Sequence, residues 1–166
     1  MKYWLTTQWP YRDDQPNREP RTGVFVQEDK VHVMRYMAPG DKVLVYETVS
    51  GPLVINNDTG RQVPCRRGRA GIIAILEIIG EREDATGPFH NEYADGKTRF
   101  WKHMAPAKIL DSKGFVPLPS VLKALNYKPG GNLRGFGDDH SGLKQIDKTA
   151  FDELSLEFKK NPERFA

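Results

Sequence analysis

A cluster of arginines between residues 59 and 76 is the part of the sequence whose chemistry is easiest to interpret. It holds Arg61, Arg66, Arg67 and Arg69 and no acidic residue. Arginine neutralises backbone phosphates and gains free energy from counterion release, so the run predicts a phosphate contact. A solvated loop that arginine keeps soluble stays open as the alternative.

Aromatic side chains lie beside prolines, glycines and the ends of predicted strands, where side chains line the mouth of a sheet. They are Trp9, Phe25, Phe89, Tyr93 and Trp101. Each one alone fits an ordinary core position. Flat rings close to a cationic run favour a different use, in which the rings stack on an unstacked base and cations hold its phosphates.

The opening stretch, MKYWLTTQWPY, presents the same choice between core and pocket. A strand here places Tyr3 and Leu5 on one face and Trp4 on the other. We expect Tyr3 and Leu5 in the core. Trp9 follows the strand and is predicted to border a pocket.

Zinc and cofactor chemistry are not predicted. The letters HNE at 90–92 match half of a zinc deaminase motif, but Cys65 is the only cysteine, so the cysteine pair is missing. The four histidines are widely separated and no two stand at i and i+4. No metal site and no cofactor are therefore expected.

The glycine-rich loop near residue 135 also resembles known motifs only in part. DDHS at 138–141 holds the residue types of a hydrolytic triad, but neighbours in sequence cannot easily face one another, so it is predicted as a loop with polar caps. GGNLRGFG lacks the Lys-Ser/Thr pair of a P-loop. Its glycines and Arg134 are still suited to approach a phosphate.

A single folding unit over residues 1–166 is expected from the length and from a hydrophobic content of 38%. The lone Cys65 favours a reducing compartment. No leader-like segment and no apolar run of membrane length appears. A cytoplasmic protein is the resulting expectation.

Strands are predicted where β-branched and aromatic residues cluster, at 2–7, 42–48, 70–82 and 98–102. The turn Pro39-Gly40-Asp41 fixes the start of the second. AGIIAILEII is apolar on both faces, which predicts a central strand covered on both sides. VFVQEDKVHVMRY fits either a hairpin or a helical excursion.

In the second half of the chain, apolar residues recur with the spacing of α-helices. Leu118, Leu122 and Leu125 recur at i, i+4 and i+7, and a second helix carries 151, 154 and 158 on one face. The segment KPGGNLRGFGDDHSG between them is predicted as a loop. Strands first and helices later indicate an α+β fold with a mixed, strongly curved sheet.

Five segments in order resemble the EVE domain family, which belongs to the PUA-like superfamily with YTH and ASCH domains. They are MKYWLTTQWP, GVFVQEDKVHVMRYMAPGDKVLVYET, RRGRAGIIAILEIIGE, FWKHMAPAKIL and NLRGFGDDHSGLKQI. The resemblance implies a PUA-like pseudo-barrel of about five or six mixed strands flanked by short helices. It also implies a non-catalytic reader of a modified base, in DNA more than in RNA, flipped into an aromatic cage.

The resemblance also implies where a base would bind. Phe25 falls where YTH-type readers place a cage aromatic, and TTQWP replaces the Ser-Glu-Pro stretch of typical EVE proteins, so Gln8 takes the place of their carboxylate. GVFVQ stands where those proteins carry GVRNYQAR. The predicted base pocket is Thr6, Thr7, Gln8, Trp9, Phe25, Val26, Phe89 and Trp101. The predicted phosphate contacts are Arg61, Arg66, Arg67, Arg69 and Arg134.

Other functions stay open at this stage. Some ASCH relatives hydrolyse amides of modified nucleosides, and Lys42, Tyr46 and Glu47 are residues such a site could use, although strand alternation puts Tyr46 and Glu47 on opposite faces. A reader of modified RNA is a further alternative. So is an adaptor whose arginine loop binds an acidic partner. Any role in restriction would need a nuclease or ATPase on a separate chain.

Overall fold

The computed structural model describes residues 1–11, 20–51, 53–56, 58–84, 90–92, 98–100 and 103–161. Within these ranges the chain forms strands, two α-helices and two short 3-10 helices. The strands are β1 (Tyr3–Gln8), β2 (Gly23–Val26), β3 (Lys42–Glu47), β4 (Val54–Ile55), β5 (Gln62–Val63), β6 (Gly71–Ile78), β7 (Glu83–Asp84), β8 (His90–Glu92), β9 (Thr98–Phe100), β10 (His103–Asp111), β11 (Val116–Pro117) and β12 (Leu143–Ile146). The α-helices are α1 (Leu118–Ala124) and α2 (Lys148–Lys160), and the 3-10 helices are Glu28–Met34 and Asp138–His140.

One curled, mixed sheet forms the body of the molecule. Its strands follow the order β12-β1-β3-β6-β10-β2, with β11 also paired to β6 and β7 to β10. β1 and β3 run parallel, whereas the other pairs are antiparallel. Two small hairpins, β4–β5 and β8–β9, lie outside this sheet. The α+β class predicted from the sequence is confirmed.

β6 is the central strand, as its two apolar faces predicted. Ile73 and Leu76 pack into one core cluster, and Ile72 and Ile75 pack into the other. A bulge opposite Val45 changes the register between β3 and β6 and adds to the curl of the sheet. Both faces of the strand are therefore shielded from water, which is why it lacks polar alternation.

The two predicted helices cover one face of the sheet. α1 places Val121 and Leu122 against the sheet, and α2 adds Phe158, which is fully buried. The Asp147 side chain caps α2 by accepting a hydrogen bond from the Ala150 amide at 2.7 Å. The segment VFVQEDKVHVMRY, for which a hairpin and a helical excursion were both open, forms β2 followed by a 3-10 helix. It is therefore a helical excursion and not a hairpin.

Asp41 fastens the turn that the sequence predicted before β3. Its buried carboxylate accepts hydrogen bonds from the Lys2 amide at 2.9 Å, the Trp4 indole at 3.0 Å and the Ala38 amide at 3.0 Å. A carboxylate with three N–H donors is well satisfied away from water. It holds the first strand and the core indole to the start of β3.

A cross-strand charge cluster on β6 makes part of the stability pH-dependent. Glu77 lies opposite Lys42 on β3 and Lys108 on β10, and both amines contact its carboxylate. Their hydrogen bonds lower the pKa of Glu77. A lowered folded-state pKa stabilises the protein above the unfolded pKa, and that stabilisation is lost as pH falls through the folded pKa.

Glu77→Gln is therefore expected to lower the urea midpoint of unfolding near neutral pH. The difference from the unmodified protein should shrink between about pH 6 and about pH 3, as the carboxyl group takes up its proton. Urea titrations at a series of pH values measure it. A difference that does not shrink as the pH falls below the ordinary pKa of a Glu side chain would contradict the assignment.

Candidate functional site

A cavity of about 820 Å³ opens where the parallel strands β1 and β3 end side by side. Parallel strands bring their carboxyl ends to one edge of a sheet, so the residues that follow them are neighbours in space. Five parts of the described chain line it: residues 6–11 from the end of β1 onward, 21–30 around β2, 45–51 from the end of β3 onward, Leu118, and 132–142 of the glycine-rich loop.

Aromatic and hydroxyl groups form much of the lining. Trp9, Tyr11 and Phe25 are partly exposed, whereas Tyr46 and Phe136 are buried in the wall. Burial raises the pKa of the Tyr46 hydroxyl, so it is neutral at physiological pH. The cavity thus offers uncharged, flat surfaces of the kind on which a planar ligand stacks.

Most of the predicted base-pocket residues are brought together here. Thr6, Thr7, Gln8, Trp9 and Phe25 all line the cavity. Phe89 and Trp101 lie outside the described residues, as does Tyr93.

The assignment of Val26 to the base pocket is wrong. Its side chain is fully buried in the core cluster beside Val24 and does not line the cavity. Neighbouring strand residues point to opposite faces, so Phe25 and Val26 cannot both reach the cavity.

The predicted phosphate contacts divide into three groups. Arg134 lines the cavity. Arg61, Arg66 and Arg67 lie in the segment that follows β4 and stand outside the lining. The assignment of Arg69 as a phosphate contact is wrong, because its guanidinium and backbone amide both bind the Glu47 carboxylate.

The Glu47–Arg69 pair fixes the chain where it leaves β3 and returns to β6. The Arg69 amide donates at 2.9 Å and its Nε at 3.1 Å to Glu47 Oε1, and Nη2 donates to Oε2 at 3.2 Å. Only 7% of the Glu47 side chain and 18% of the Arg69 side chain are exposed. The predicted arginine is therefore structural.

Gln8 supplies a polar group without a partner inside the cavity wall. Its Nε2 atom is buried and makes no hydrogen bond within the described protein, while its backbone oxygen accepts from the Thr48 amide at 3.0 Å. A buried amide N–H without an acceptor is costly. A ligand with an acceptor atom on its edge would relieve that cost.

Cationic groups on the rim were missed by the sequence analysis. Arg21 lies 4.3 Å over the Tyr11 ring and donates to the Trp9 carbonyl at 3.3 Å. Lys30 comes from the 3-10 helix after β2. No local motif marks either residue, because pairing of β2 with the distant β10 brings them to the site.

The glycine-rich loop forms one wall of the cavity. Asp139 and His140 both adopt left-handed backbone angles, with φ of 53° and 55°. Asp139 binds Lys30 at 3.4 Å and His32 at 3.1 Å, which ties the loop to the 3-10 helix. Non-glycine residues in this region are strained and persist only where contacts hold them.

Gly142 lets the same loop approach β1 closely. Its φ is +79°, and a Cβ there would lie 2.6 Å from the Thr7 hydroxyl oxygen. The Gly142 carbonyl accepts from the Thr7 amide at 2.8 Å. Only glycine permits both the backbone angle and this contact.

Two of the residues that a hydrolytic site was expected to use, Lys42 and Glu47, are held apart. Lys42 and Glu47 stand at opposite ends of β3 and are paired with Glu77 and Arg69. His140 contacts the Gly135 carbonyl through Nδ1, and the Ser141 hydroxyl bonds the Leu143 backbone. Residues 138–140 form a short 3-10 helix with no side-chain cap at its start, where a loop with polar caps was predicted.

The lining and its surroundings are poor in metal ligands. No Asp or Glu is among the described residues that line the cavity. No group of three His, Cys, Asp or Glu side chains in the described chain could hold a metal ion. Neither described α-helix is long and apolar enough to cross a membrane.

Comparison with solved structures shows a likeness to known proteins. No family model and no curated protein matches the chain. The human THYN1 protein, solved in complex with 5-methylcytosine-containing DNA, superposes with a TM-score of 0.52 at 15% sequence identity, over 95% of this chain and 98% of that one. At this identity the likeness shows the fold, a curled half-barrel of mixed strands with a few short helices, which matches the pseudo-barrel that the family resemblance implied.

Proposed function

We propose that the protein is a non-catalytic, nucleic-acid-binding module that holds one modified base in the cavity. The observation that carries the proposal is a cavity with aromatic walls and a cationic rim, in which the described lining has no carboxylate. A base is planar and attached to a phosphate, so it needs rings for stacking and cations for its backbone. A free carboxylate would repel that phosphate.

Three parts of the cavity would act on an extruded base. Trp9 and Phe25 offer ring faces, and each stacked base is worth about 1 to 3 kcal/mol. The unpartnered Gln8 amide would donate to an acceptor on the base edge. Arg21, Lys30 and Arg134 on the rim would meet the flanking phosphates.

The modification itself would add apolar area. One buried methyl carbon contributes about 0.8 kcal/mol, roughly a fourfold preference. Because the human THYN1 protein was solved with 5-methylcytosine-containing DNA, methylated DNA is the first ligand to test. We place the protein in the cytoplasm, where any nuclease or ATPase that acts on the bound site would be a separate chain.

The test is a set of anisotropy titrations against matched, labelled oligonucleotides. These carry methylated, hydroxymethylated or unmodified bases in DNA and in RNA. We expect one modified DNA to bind between about fourfold and tenfold tighter than its unmodified match, or up to about 1.4 kcal/mol.

The alternative functions predict different results in these titrations or, for the amidohydrolase, in a separate incubation with an acylated cytidine. A preference confined to RNA would make the protein a reader of modified RNA. Uniform weak binding that disappears with salt would leave only nonspecific phosphate contacts and would overturn the proposal. Release of a new product from an acylated cytidine would identify an amidohydrolase.

A further inference from the structure

A two-stranded arm, residues 48–68, extends from the rim of the cavity. Its two sides begin at the Glu47–Arg69 pair, where Gly68 donates its amide to the Val49 carbonyl at 2.8 Å. Farther out, Val54 pairs with Val63 and Ile55 with Gln62. Pro52 and Asn57 lie outside the described residues, and the antiparallel ladder between β4 and β5 is two residue pairs long.

The tip of the arm is held by its own hydrogen bonds. The Asn56 amide donates to the Arg61 carbonyl at 2.9 Å, and the Gly60 amide donates to the Asn56 carbonyl at 2.7 Å. Gly60 takes a φ of +69°, which a tight turn requires. Residues 58–62 at the tip are exposed.

The arm carries positive charge on its accessible residues. Its charged residues are three arginines and one acid: Arg61, Arg66, Arg67 and Asp58. Arg61 and Arg67 are both exposed. An exposed cationic ribbon is unlike the Arg69 site, whose charge is neutralised by Glu47.

The arm and the cavity share one wall. Thr48, Val49, Ser50 and Gly51 belong to the arm and also line the cavity. The Arg66 amide donates to the Tyr11 carbonyl at 2.8 Å. The arm is thus fixed beside the cavity mouth, where nucleic acid flanking a bound base would lie.

We propose that the arm lies in a groove of duplex nucleic acid while the modified base occupies the cavity. The inference rests on the proposed function and adds that the partner is double-stranded. The major groove of B-DNA admits a two-stranded β-ribbon, and its walls are rows of phosphates that Arg61 and Arg67 would meet. A single strand has no groove, so the arm favours a duplex.

The test compares Arg61→Gln/Arg67→Gln with the unmodified protein on two probes. One is a duplex with a single 5-methylcytosine, and the other is the methylated strand alone. We expect the variant to lose about tenfold in affinity for the duplex and less than about twofold for the single strand. The slope of log affinity against log salt should fall by about 2 for the duplex only.

Lys159→Gln/Lys160→Gln is the matched control, because it removes the same charge from exposed residues at the end of α2. It should leave both affinities unchanged within about twofold. Equal losses on duplex and single strand, or no loss on the duplex, would overturn the arm proposal.

The two proposals fail separately. If the unmodified protein binds methylated and unmethylated duplexes equally, the reader function fails, while a duplex-specific loss in the arm variant still supports the arm. If methyl selectivity is present and the arm variant binds the duplex normally, the reader function stands and the arm proposal falls.

Discussion

Replacing Trp9 and Phe25 together with alanine is expected to weaken binding of the preferred modified DNA by about 2 kcal/mol or more, roughly thirtyfold. Both rings line the cavity and are partly exposed. Each stacking contact contributes about 1 to 3 kcal/mol, and both would be lost. Labelled-oligonucleotide anisotropy measures the change without relying on tryptophan fluorescence.

The stacking prediction has a matched control in Tyr36→Ala. Tyr36 is 59% exposed and does not line the cavity, so its removal should leave affinity unchanged. Thermal unfolding of each variant shows whether the fold survives. A folded double variant that keeps its affinity within about threefold would show that these rings do not hold the ligand.

Glu47→Ala is expected to lower the free energy of unfolding by about 3 kcal/mol. The change removes one partner of a largely buried ion pair and leaves the Arg69 guanidinium without its counter-charge. Breaking such a pair costs more than the pair contributes, because the remaining charge stays desolvated. Urea unfolding at neutral pH measures the loss.

The companion variant Glu47→Met/Arg69→Met separates the two causes. It removes both charges and keeps apolar volume, so it should regain much of the lost stability. If Glu47→Ala and the double variant are equally destabilised, packing at this position and not the unpaired charge is responsible. A loss below about 1 kcal/mol in Glu47→Ala would show that water already screens the pair.

Local patterns were sufficient to predict the elements with strong periodicity. β1, β3 and β6 follow from β-branched runs and from the Asp41 turn, and the two helices follow from leucine and phenylalanine spacing. β10 was missed because Pro106 interrupts it and its fully buried residues are the small Ala105 and Ala107. β12 was missed because a strand of four residues is too short to show a clear alternation of apolar and polar side chains.

The candidate site was predictable only where it is local in sequence. Residues 6–9 form the end of β1 and the position after it, and their types already suggested a pocket. Arg21 and Lys30 reach the cavity through the pairing of β2 with β10, which no short motif encodes. Arg69 was misassigned for the same reason, since its partner Glu47 is 22 positions away in sequence.

The place of β1 between β3 and β12 has a consequence for how the protein is made. Thr6 pairs with Leu143, and the Thr7 amide donates to the Gly142 carbonyl, contacts 137 and 135 residues apart in sequence. Such distant pairing slows folding, since the loop between the partners must close first. The cavity wall that β1 and the Gly142 loop share is therefore completed late in folding, only after these distant segments have met.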